Sequence, residues 1–306
     1  MFILQKLYKL SFTLSIIIYL NILFGPLVRA TNSGLACPDW PLCYGKVIPP
    51  PQFTIYMEVG HRIYSGILSI LLLYIVVFIF TKLELRKNFS LLGFLSILII
   101  GIQIALGALT VTKLLDPTTV NLHLLNAVLL LTIIVTITVK SKFLLEGAYF
   151  KSGLFNNWFQ HKIYWLLGLS VILVYFQLYM GGRVSSHYAG LACLDWPTCN
   201  GFWFPPLKGS VGYQMEHRYI AYFIVVLVIL NYFLIKALKP ENTKLLLFLK
   251  LANFLVLLQV SIGIANVLLR LPILLTALHT GMGVALFISV YLSAIYSLYQ
   301  TEKRNL

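Results

Sequence analysis

The chain has 306 residues, of which 59% are hydrophobic and only 10% are charged, and its formal net charge is +14. An average soluble domain carries about 25% charged residues, and this chain has too few polar groups to cover a globular surface. The composition therefore excludes a soluble enzyme and a disordered chain. It also excludes a nucleic-acid-binding domain, because the positive charges lie between apolar runs rather than on one basic face. The expected fold class is an all-α polytopic membrane protein.

Apolar runs of about 20 or more residues recur along the chain, each long enough to cross a hydrocarbon core about 30 Å thick. They predict eight transmembrane helices, at residues 8–28, 57–80, 90–112, 119–140, 160–181, 213–238, 245–268 and 274–299. The first run has no small-residue cleavage site before Arg29, so it is expected to remain a helix rather than to act as a signal peptide.

Lysine and arginine orient the predicted helices, because cytoplasmic loops carry the excess of positive charge. Fifteen basic residues fall on one side: Lys6, Lys9, Lys82, Arg86, Lys87, Lys140, Lys142, Lys151, Lys162, Lys236, Lys239, Lys244, Lys250, Lys303 and Arg304. Eight fall on the other: Arg29, Lys46, Arg62, Lys113, Arg183, Lys208, Arg218 and Arg270. This bias predicts cytoplasmic N- and C-termini in a cell (inner or plasma) membrane. It places a first long loop (29–56) and a second long loop (182–212) outside.

All four cysteines lie in these two loops: Cys37, Cys43, Cys193 and Cys199. The outer side of a bacterial-type membrane is oxidising, so the sequence predicts one disulfide in each loop. Two roles are open at this point. The bridges are either structural clips that shape the loops or redox-active bonds that relay electrons, since a small closed loop can be strained and reducible.

The two long loops contain near copies of one motif, GLACPDWPLCYG at 34–45 and GLACLDWPTCNG at 190–201. The same offset of 156 residues relates His61 to His217, Gln103 to Gln259, Gly107 to Gly263 and His123 to His279. Upstream, Arg29 aligns with Arg183 at an offset of 154, which predicts two extra residues in the second loop. We therefore expect two four-helix halves, 1–145 and 155–306. Four helices return the chain to its starting side, so the halves should form a parallel repeat.

Four histidines have matching positions in the two halves: His61 and His217 open the second helix of each half, and His123 and His279 open the fourth. Ionisable residues inside membrane spans are costly and usually face the bundle interior, where they have a function. Histidines from facing helices of a bundle can supply two axial ligands to one haem iron. The duplication therefore predicts two bis-histidine haem sites towards the outer face.

Other interpretations of the histidines are weaker. Zinc prefers three or four ligands at closer sequence spacing, often with sulfur included. Interfacial histidines that hydrogen-bond their neighbours would explain one such residue, but not four at a duplicated spacing. The remaining two histidines, His161 and His187, have no counterpart at this offset and are expected to be solvated.

Small and basic residues near the histidines fit the same interpretation. Glycines could leave room for a flat macrocycle or allow close helix packing: Gly66, Gly101, Gly107, Gly263, Gly281 and Gly283. Four arginines lie on the side that is poor in positive charge: Arg29, Arg62, Arg183 and Arg218. They are expected to form charge-assisted bonds to haem propionates, with lipid headgroups as the alternative partners.

Several motifs together resemble the haem A synthase family: GLACPDWPLC, EVGHR, NLH at 121–123, GLACLDWPTC, EHR and LHTGMG at 278–283. The resemblance covers nearly the whole chain. It implies oxidation of the ring methyl of haem O to a formyl group, which yields haem A for terminal oxidases. It also implies a haem b in the C-terminal half, haem O as the substrate in the N-terminal half, and haem O synthase as a partner. The lipid-facing helices could support a homo-oligomer.

One break in the duplication indicates which half reacts. Glu58 lies three residues before His61, so the two side chains share a helix face, whereas the matching position holds Gln214. A carboxylate can accept protons or stabilise positive charge, and an amide cannot. Glu58 is therefore the predicted catalytic residue, as the resemblance also implies, and a salt bridge to Arg62 is compatible with that role. Glu216 directly precedes His217 and points away from it.

Two other functions would use the same histidines. A bis-histidine membrane cytochrome would carry electrons, and it would not need a carboxylate in one half only. A haem transporter or chaperone would bind haem without altering it.

Overall fold

A computed structural model describes residues 1–147, 149–150, 158–238 and 242–300, with the backbone alone described at 149–150, 158–163 and 299–300. Within this part of the chain, eight α-helices are long and apolar enough to cross a membrane. They confirm the prediction of an all-α polytopic membrane protein. The chain divides into two compact units, Met1–Glu146 (unit 1) and Gly147–Leu306 (unit 2).

Unit 1 is a four-helix bundle. Its helices are α1 (Phe2–Ala30), α2 (Phe53–Thr81), α3 (Leu83–Thr112) and α4 (Pro117–Leu145). Helices α1 and α3 each pack against both α2 and α4, so the four helices enclose a common interior. Helix α4 begins where Asp116 accepts the backbone N–H of Thr119 at 2.9 Å and where Pro117 fixes the first helical residue. The two histidines of this unit come from α2 and α4.

Unit 2 repeats this helix order. Its elements are β1 (Tyr149–Phe150), α5 (Trp158–Ser186), a 3₁₀ turn (Ala189–Leu191), α6 (Gly209–Leu238), α7 (Thr243–Leu268), α8 (Ile273–Leu298) and β2 (Tyr299–Gln300). The two short strands pair antiparallel. Helices α5 and α7 each pack against both α6 and α8. The two histidines of this unit come from α6 and α8.

The helices extend beyond the apolar runs from which they were predicted. The first run, 8–28, belongs to a helix that spans Phe2–Ala30, and the fourth, 119–140, belongs to Pro117–Leu145. Basic side chains at helix ends remain compatible with a membrane position because their stems lie along apolar surface. Lys6, for example, places its Nζ 5.0 Å from the ring centroid of Phe78.

Helix bounds correct the alignment of the two arginines upstream of the loops. Helix α1 ends at Ala30 and helix α5 ends at Ser186, which differ by 156. The alignment of Arg29 with Arg183 is therefore wrong, and so is the expected two-residue insertion. Two arginines at an offset of 154 do not set the register of these helices.

Some sequence-based expectations fall on parts of the chain that are not described. Lys151, Lys239, Lys303 and Arg304, which were counted for the orientation, lie outside the described residues, and so do the side chains of His161 and Lys162. His187 is described and exposed, as expected, and its Nδ1 lies 3.0 Å from the backbone oxygen of Arg183.

Candidate functional site

The first long loop is closed by an aspartate and a disulfide. The carboxylate of Asp39 accepts the backbone N–H groups of Tyr44 at 2.6 Å and Gly45 at 2.7 Å. These bonds hold the pKa of Asp39 below its usual value, and the bond from Gly45 has the largest effect. The carboxylate therefore stays ionised at neutral pH. Cys37 and Cys43 are bonded to each other within the same turn. The loop therefore has a defined shape next to the start of α2.

The second long loop has the same construction. Asp195 accepts the hydroxyl of Thr198 at 2.5 Å and the backbone N–H groups of Asn200 at 2.6 Å and Gly201 at 2.9 Å. The hydroxyl bond is the main reason that the pKa of Asp195 falls to about 2. Cys193 and Cys199 are bonded to each other. Both predicted disulfides are thus confirmed.

Both disulfides are buried, although they belong to loops. Cys37 and Cys43 are 0% and 2% exposed and pack against Ile55 of α2. Cys193 and Cys199 are each 0% exposed and pack against Met215 of α6. Each bridge therefore forms a small apolar core between its loop and the helix that carries a histidine, which is the arrangement expected of a structural clip.

Glu58 and Arg62 join the first loop to α2. Arg62 donates to one oxygen of Glu58 at 2.5 Å and to the backbone oxygens of Asp39 at 2.9 Å and Leu42 at 2.7 Å. The other oxygen of Glu58 accepts the backbone N–H of Cys37 at 2.9 Å. The side chain of Glu58 is only 6% exposed. The salt bridge considered from the sequence is present, and it belongs to a wider clamp on the loop.

Unit 2 builds the corresponding clamp without a carboxylate. Arg218 donates to the backbone oxygens of Asp195 at 3.0 Å, Thr198 at 2.7 Å and Cys193 at 3.2 Å. Gln214, at the position that matches Glu58, donates to the backbone oxygen of Gly190 at 3.4 Å. The second loop thus forms with an amide at this position.

The other two arginines differ from each other. Arg183 donates to Glu216 at 3.0 Å, and its guanidinium carbon lies 4.5 Å from the ring centroid of Tyr213. Arg29 lies in the last turn of α1 and also has a partner within the protein. All four arginines that were expected to bind propionates therefore make contacts within the chain. Their propionate role stays a prediction.

The histidine pair of unit 1 comes from α2 and α4. His61 meets the edge of Phe24, with ring centroids 5.4 Å apart at an interplanar angle of 84°. The Nε2 of His123 lies 3.3 Å from the amide nitrogen of Gln103, and the amide oxygen of Gln103 accepts from Asn126 at 2.8 Å. Phe24 and Asn126 are members of this site that no sequence motif indicated.

The histidine pair of unit 2 comes from α6 and α8. The ring centroids of His217 and His279 are 6.4 Å apart, and the ring planes make an angle of 79°. The amide nitrogen of Gln177 lies 3.0 Å from Nδ1 of His217 and 2.9 Å from its backbone oxygen. Gln259 donates to the backbone oxygen of His279 at 2.8 Å. The two predicted ligands of one haem thus face each other within one bundle.

Glycines lie against the histidine rings. An added Cβ would lie 3.2 Å from Cε1 of His123 at Gly107, 3.1 Å from Cε1 of His217 at Gly181, and 2.9 Å from Cε1 of His279 at Gly263. By contrast, Gly66 and Gly101 face open space, and Gly283 meets Gln259. The glycines therefore make room for the imidazole rings themselves. The offset of 156 from Gly25, near His61, would have identified Gly181.

These residues fit a haem better than another metal. Two imidazoles that bind one iron through metal–nitrogen bonds of about 2 Å place their centroids about 6 Å apart, which matches unit 2. Within the described residues, no three side chains of His, Cys, Asp or Glu come together as zinc would need.

Comparisons with known proteins agree with this chemistry. A family model described as cytochrome oxidase assembly protein (COX15-CtaA) matches residues 8–55 and 51–291. The chain is 28% identical to a "Heme A synthase" of Alkalihalophilus pseudofirmus, over 95% of this chain and 94% of the relative. It is 29% identical to proteins of the same name from Halalkalibacterium halodurans and Shewanella oneidensis. These alignments cover 92% of this chain in both cases, and 92% and 93% of the respective relatives.

The fold and the site together define a polytopic helical membrane protein with a histidine pair in each of two four-helix bundles. The chain belongs to the COX15-CtaA family of cytochrome oxidase assembly proteins, as the match over most of its length shows.

Gly263 lies against the ring of His279 and offers a direct test of whether the pair His217 and His279 binds haem. Gly263→Ala places a Cβ 2.9 Å from the ring, closer than van der Waals contact, so the imidazole must move. If His279 is a haem ligand, this displacement is expected to lower haem retention by about tenfold, measured as haem per purified protein. Gly168→Ala in the same unit, where the Cβ meets nothing within 4 Å, is the control. Equal retention in the two variants would show that the ring does not hold haem.

Proposed function

We propose that this protein is an oxidoreductase that converts haem O to haem A by oxidising a ring methyl group to a formyl group. The observation that carries the proposal is a histidine pair in each unit, of which only the pair in unit 1 has a buried carboxylate, Glu58, three residues before its first histidine on the same helix. The name "Heme A synthase" of relatives that align over almost their whole length supports the same conclusion.

Haem O would bind in unit 1 between His61 and His123, with its farnesyl tail along the apolar bundle or towards lipid. Conversion of the ring methyl to a formyl group, by two hydroxylations and loss of water from the geminal diol, removes four electrons and adds one oxygen atom, so an external oxidant has to take up the electrons. The side chain of Gln103, which accepts from Asn126, contacts Nε2 of His123 and would position the ring until this nitrogen binds iron.

Glu58 is the catalytic carboxylate in this proposal. It accepts protons released from the substrate or stabilises the positive charge that develops on it. The pairing with Arg62 and the backbone N–H of Cys37 hold the carboxylate buried and oriented, which a reacting group needs. Gln214 cannot take this role in unit 2, because an amide is not a base.

His217 and His279 hold a haem b in unit 2. When bound, this group supplies one-electron transfer. The protein contributes the ring spacing, the glycine positions that admit the rings, and the amide of Gln177 on the ligand His217.

The arginines bind haem propionates through those guanidinium N–H groups that are not hydrogen-bonded to the loops. A guanidinium carries five N–H donors in a fixed fork, so one side can hold a loop while the other meets an anion. An apolar groove lined by Trp40, Val59 and Ile63 lies beside Arg62, which supports this role. Arg29, Arg183 and Arg218 are proposed for the same task.

Both termini are cytoplasmic and the haem sites lie towards the outer face of a plasma or inner membrane. Residues 1–145 and 155–306 form a parallel repeat. The ends of α1 and α5, the starts of α2 and α6, the ends of α3 and α7 and the starts of α4 and α8 each differ by 156. These bounds support this arrangement, and so do the bonds that Arg62 and Arg218 donate to the backbone oxygens of Asp39 and Asp195. Haem O synthase is the proposed source of substrate, membrane lipid surrounds the helices, and a homo-oligomer is the proposed assembly.

Extraction and chromatography of the pigment from the purified protein tests the function. Haem b together with haem O, its hydroxylated form or haem A is the expected result. Haem b alone would overturn the proposal in favour of an electron-carrying cytochrome. Sub-stoichiometric haem that exchanges freely and is never altered would overturn it in favour of a transporter or chaperone.

The buried disulfides predict a loss of stability rather than of chemistry. Replacing Cys37 and Cys43 together by alanine is expected to lower the free energy of unfolding by about 2 kcal/mol, as for a small closed loop. Thermal unfolding in detergent measures the change, and the Cys193→Ala, Cys199→Ala pair is the matched variant. Haem A formation at low temperature should stay within a few-fold of the unmodified protein. Its loss without any change in thermal unfolding would instead support a redox role.

A further inference from the structure

The two histidine pairs differ in the side-chain contact made to the first histidine, which is His61 in unit 1 and His217 in unit 2. In unit 2, the Gln177 amide of α5 contacts both Nδ1 and the backbone oxygen of His217, at 3.0 and 2.9 Å. In unit 1, the matching position on α1 is Asn21, whose amide nitrogen donates to Ser65 at 2.9 Å. The Nδ1 of His61 is buried and has no hydrogen-bond partner among the described residues.

The difference follows from one methylene group. Glutamine is long enough to reach across from α5 to the imidazole on α6. Asparagine is shorter, and Ser65, which donates to the backbone oxygen of His61 at 2.8 Å, takes its amide instead. In unit 2 the position that matches Ser65 is Ala221, which offers no hydroxyl. The shorter Asn21 thus occurs together with Ser65, and the longer Gln177 occurs together with Ala221. As a result, the Nδ1 of the first histidine has an amide contact in unit 2 but not in unit 1.

The amide oxygen of Gln177 is the kind of hydrogen-bond acceptor that a ligand histidine needs. A neutral imidazole that gives Nε2 to iron carries its proton on Nδ1 and needs an acceptor there. The amide oxygen of Gln177 is buried and has no partner among the described residues. Amide nitrogen and oxygen are nearly alike in shape, and which of them meets Nδ1 follows the ring tautomer. Turning the terminal amide brings the oxygen to the protonated Nδ1, and the amide nitrogen then gives up its bond to the backbone oxygen of His217.

We propose that Gln177 is a positioning residue that fixes His217 as a permanent, electron-rich ligand of the unit 2 haem. The absence of this contact at His61 makes the unit 1 haem exchangeable. An acceptor on Nδ1–H raises the basicity of the ligand and tightens metal binding, which stabilises the oxidised iron. This inference rests on the proposed function, since it assigns the resident haem to unit 2 and the substrate to unit 1.

The test compares variants of the full-length, detergent-purified protein prepared without haem O. Gln177→Leu removes both contacts, and Gln177→Asn shortens the side chain by one methylene to the residue type of position 21. Both are expected to raise the midpoint potential of the resident haem b by about 59 mV, a tenfold shift in a one-electron equilibrium. Both should also lower haem b retention by about tenfold. Gln177→Glu, which keeps an acceptor, should restore retention and hold the potential at or below that of the unmodified protein.

The control is Gln214, a buried glutamine of unit 2. Gln214→Leu also removes a buried amide, but this amide bonds a loop oxygen rather than a histidine, so the potential should not move. An unchanged potential in Gln177→Leu and Gln177→Asn, or an equal shift in Gln214→Leu, would overturn the role of Gln177. A protein that carries no haem b at all before mutation would instead contradict the proposed function, so the two failures are distinguishable.

Discussion

Glu58→Gln is expected to lower haem A formation by about 100-fold or more, the usual contribution of a positioned acid or base, while the protein stays folded. Glutamine can still accept the backbone N–H of Cys37, which Glu58 now accepts at 2.9 Å. The loop should also survive, because unit 2 forms the same loop with Gln214 at the matching position. The substitution therefore removes the charge and the basicity but keeps the shape. The readout is haem A per unit of protein, with haem b content as the check of folding.

Glu216→Gln is the matched control, since it removes a carboxylate from the same region of the other unit. Glu216 is paired with Arg183 and is partly exposed, and such a pair is worth about 0–1 kcal/mol. Haem A formation should then change by no more than a few-fold. Normal conversion of haem O by Glu58→Gln would show that Glu58 only holds the loop.

Replacing one histidine in each unit should separate two phenotypes. His217→Leu is expected to lower the haem b content of the purified protein at least about tenfold, because the iron loses one of its two axial ligands. His61→Leu is expected to keep haem b at the level of the unmodified protein and to abolish conversion of haem O. The absorption spectrum of the reduced protein reports the first effect, and chromatography of extracted pigment reports the second.

The control for both variants is His187→Leu, which replaces an exposed histidine that belongs to neither pair. It should retain haem b and form haem A. Loss of haem b from His61→Leu, with retention in His217→Leu, would reverse the assignment of the two units. An equal loss from both variants would contradict any division of labour.

The architecture could be predicted because it depends on composition and period. A helix in a bilayer must satisfy its own backbone, so every long apolar run became a helix. The ends of the helices were missed by several residues, since polar and basic residues such as Lys6 continue the helix beyond the apolar run. The register of α5 was missed because Arg183 was matched to Arg29, whereas the helix bounds and the Gly25 and Gly181 positions keep the offset of 156.

The candidate site was accessible from sequence where the duplication repeats a chemical group, as at the histidines and the cysteines, and where it is broken, as at Glu58. The contacts of Arg62 and Arg218 with loop oxygens were not foreseen, because backbone carbonyls leave no trace in a sequence. The difference between Gln177 and Asn21 was also missed, since it depends on the length of a side chain across two helices.

A single-turnover measurement tests the central claim most directly. The purified protein, carrying haem b, is loaded with haem O, the reaction is started, and pigments are extracted and chromatographed at successive times. The account predicts that haem O declines, that a hydroxylated haem rises and then falls, and that haem A accumulates while haem b stays constant. Haem O that persists unchanged, or haem b that is consumed in its place, would contradict the account.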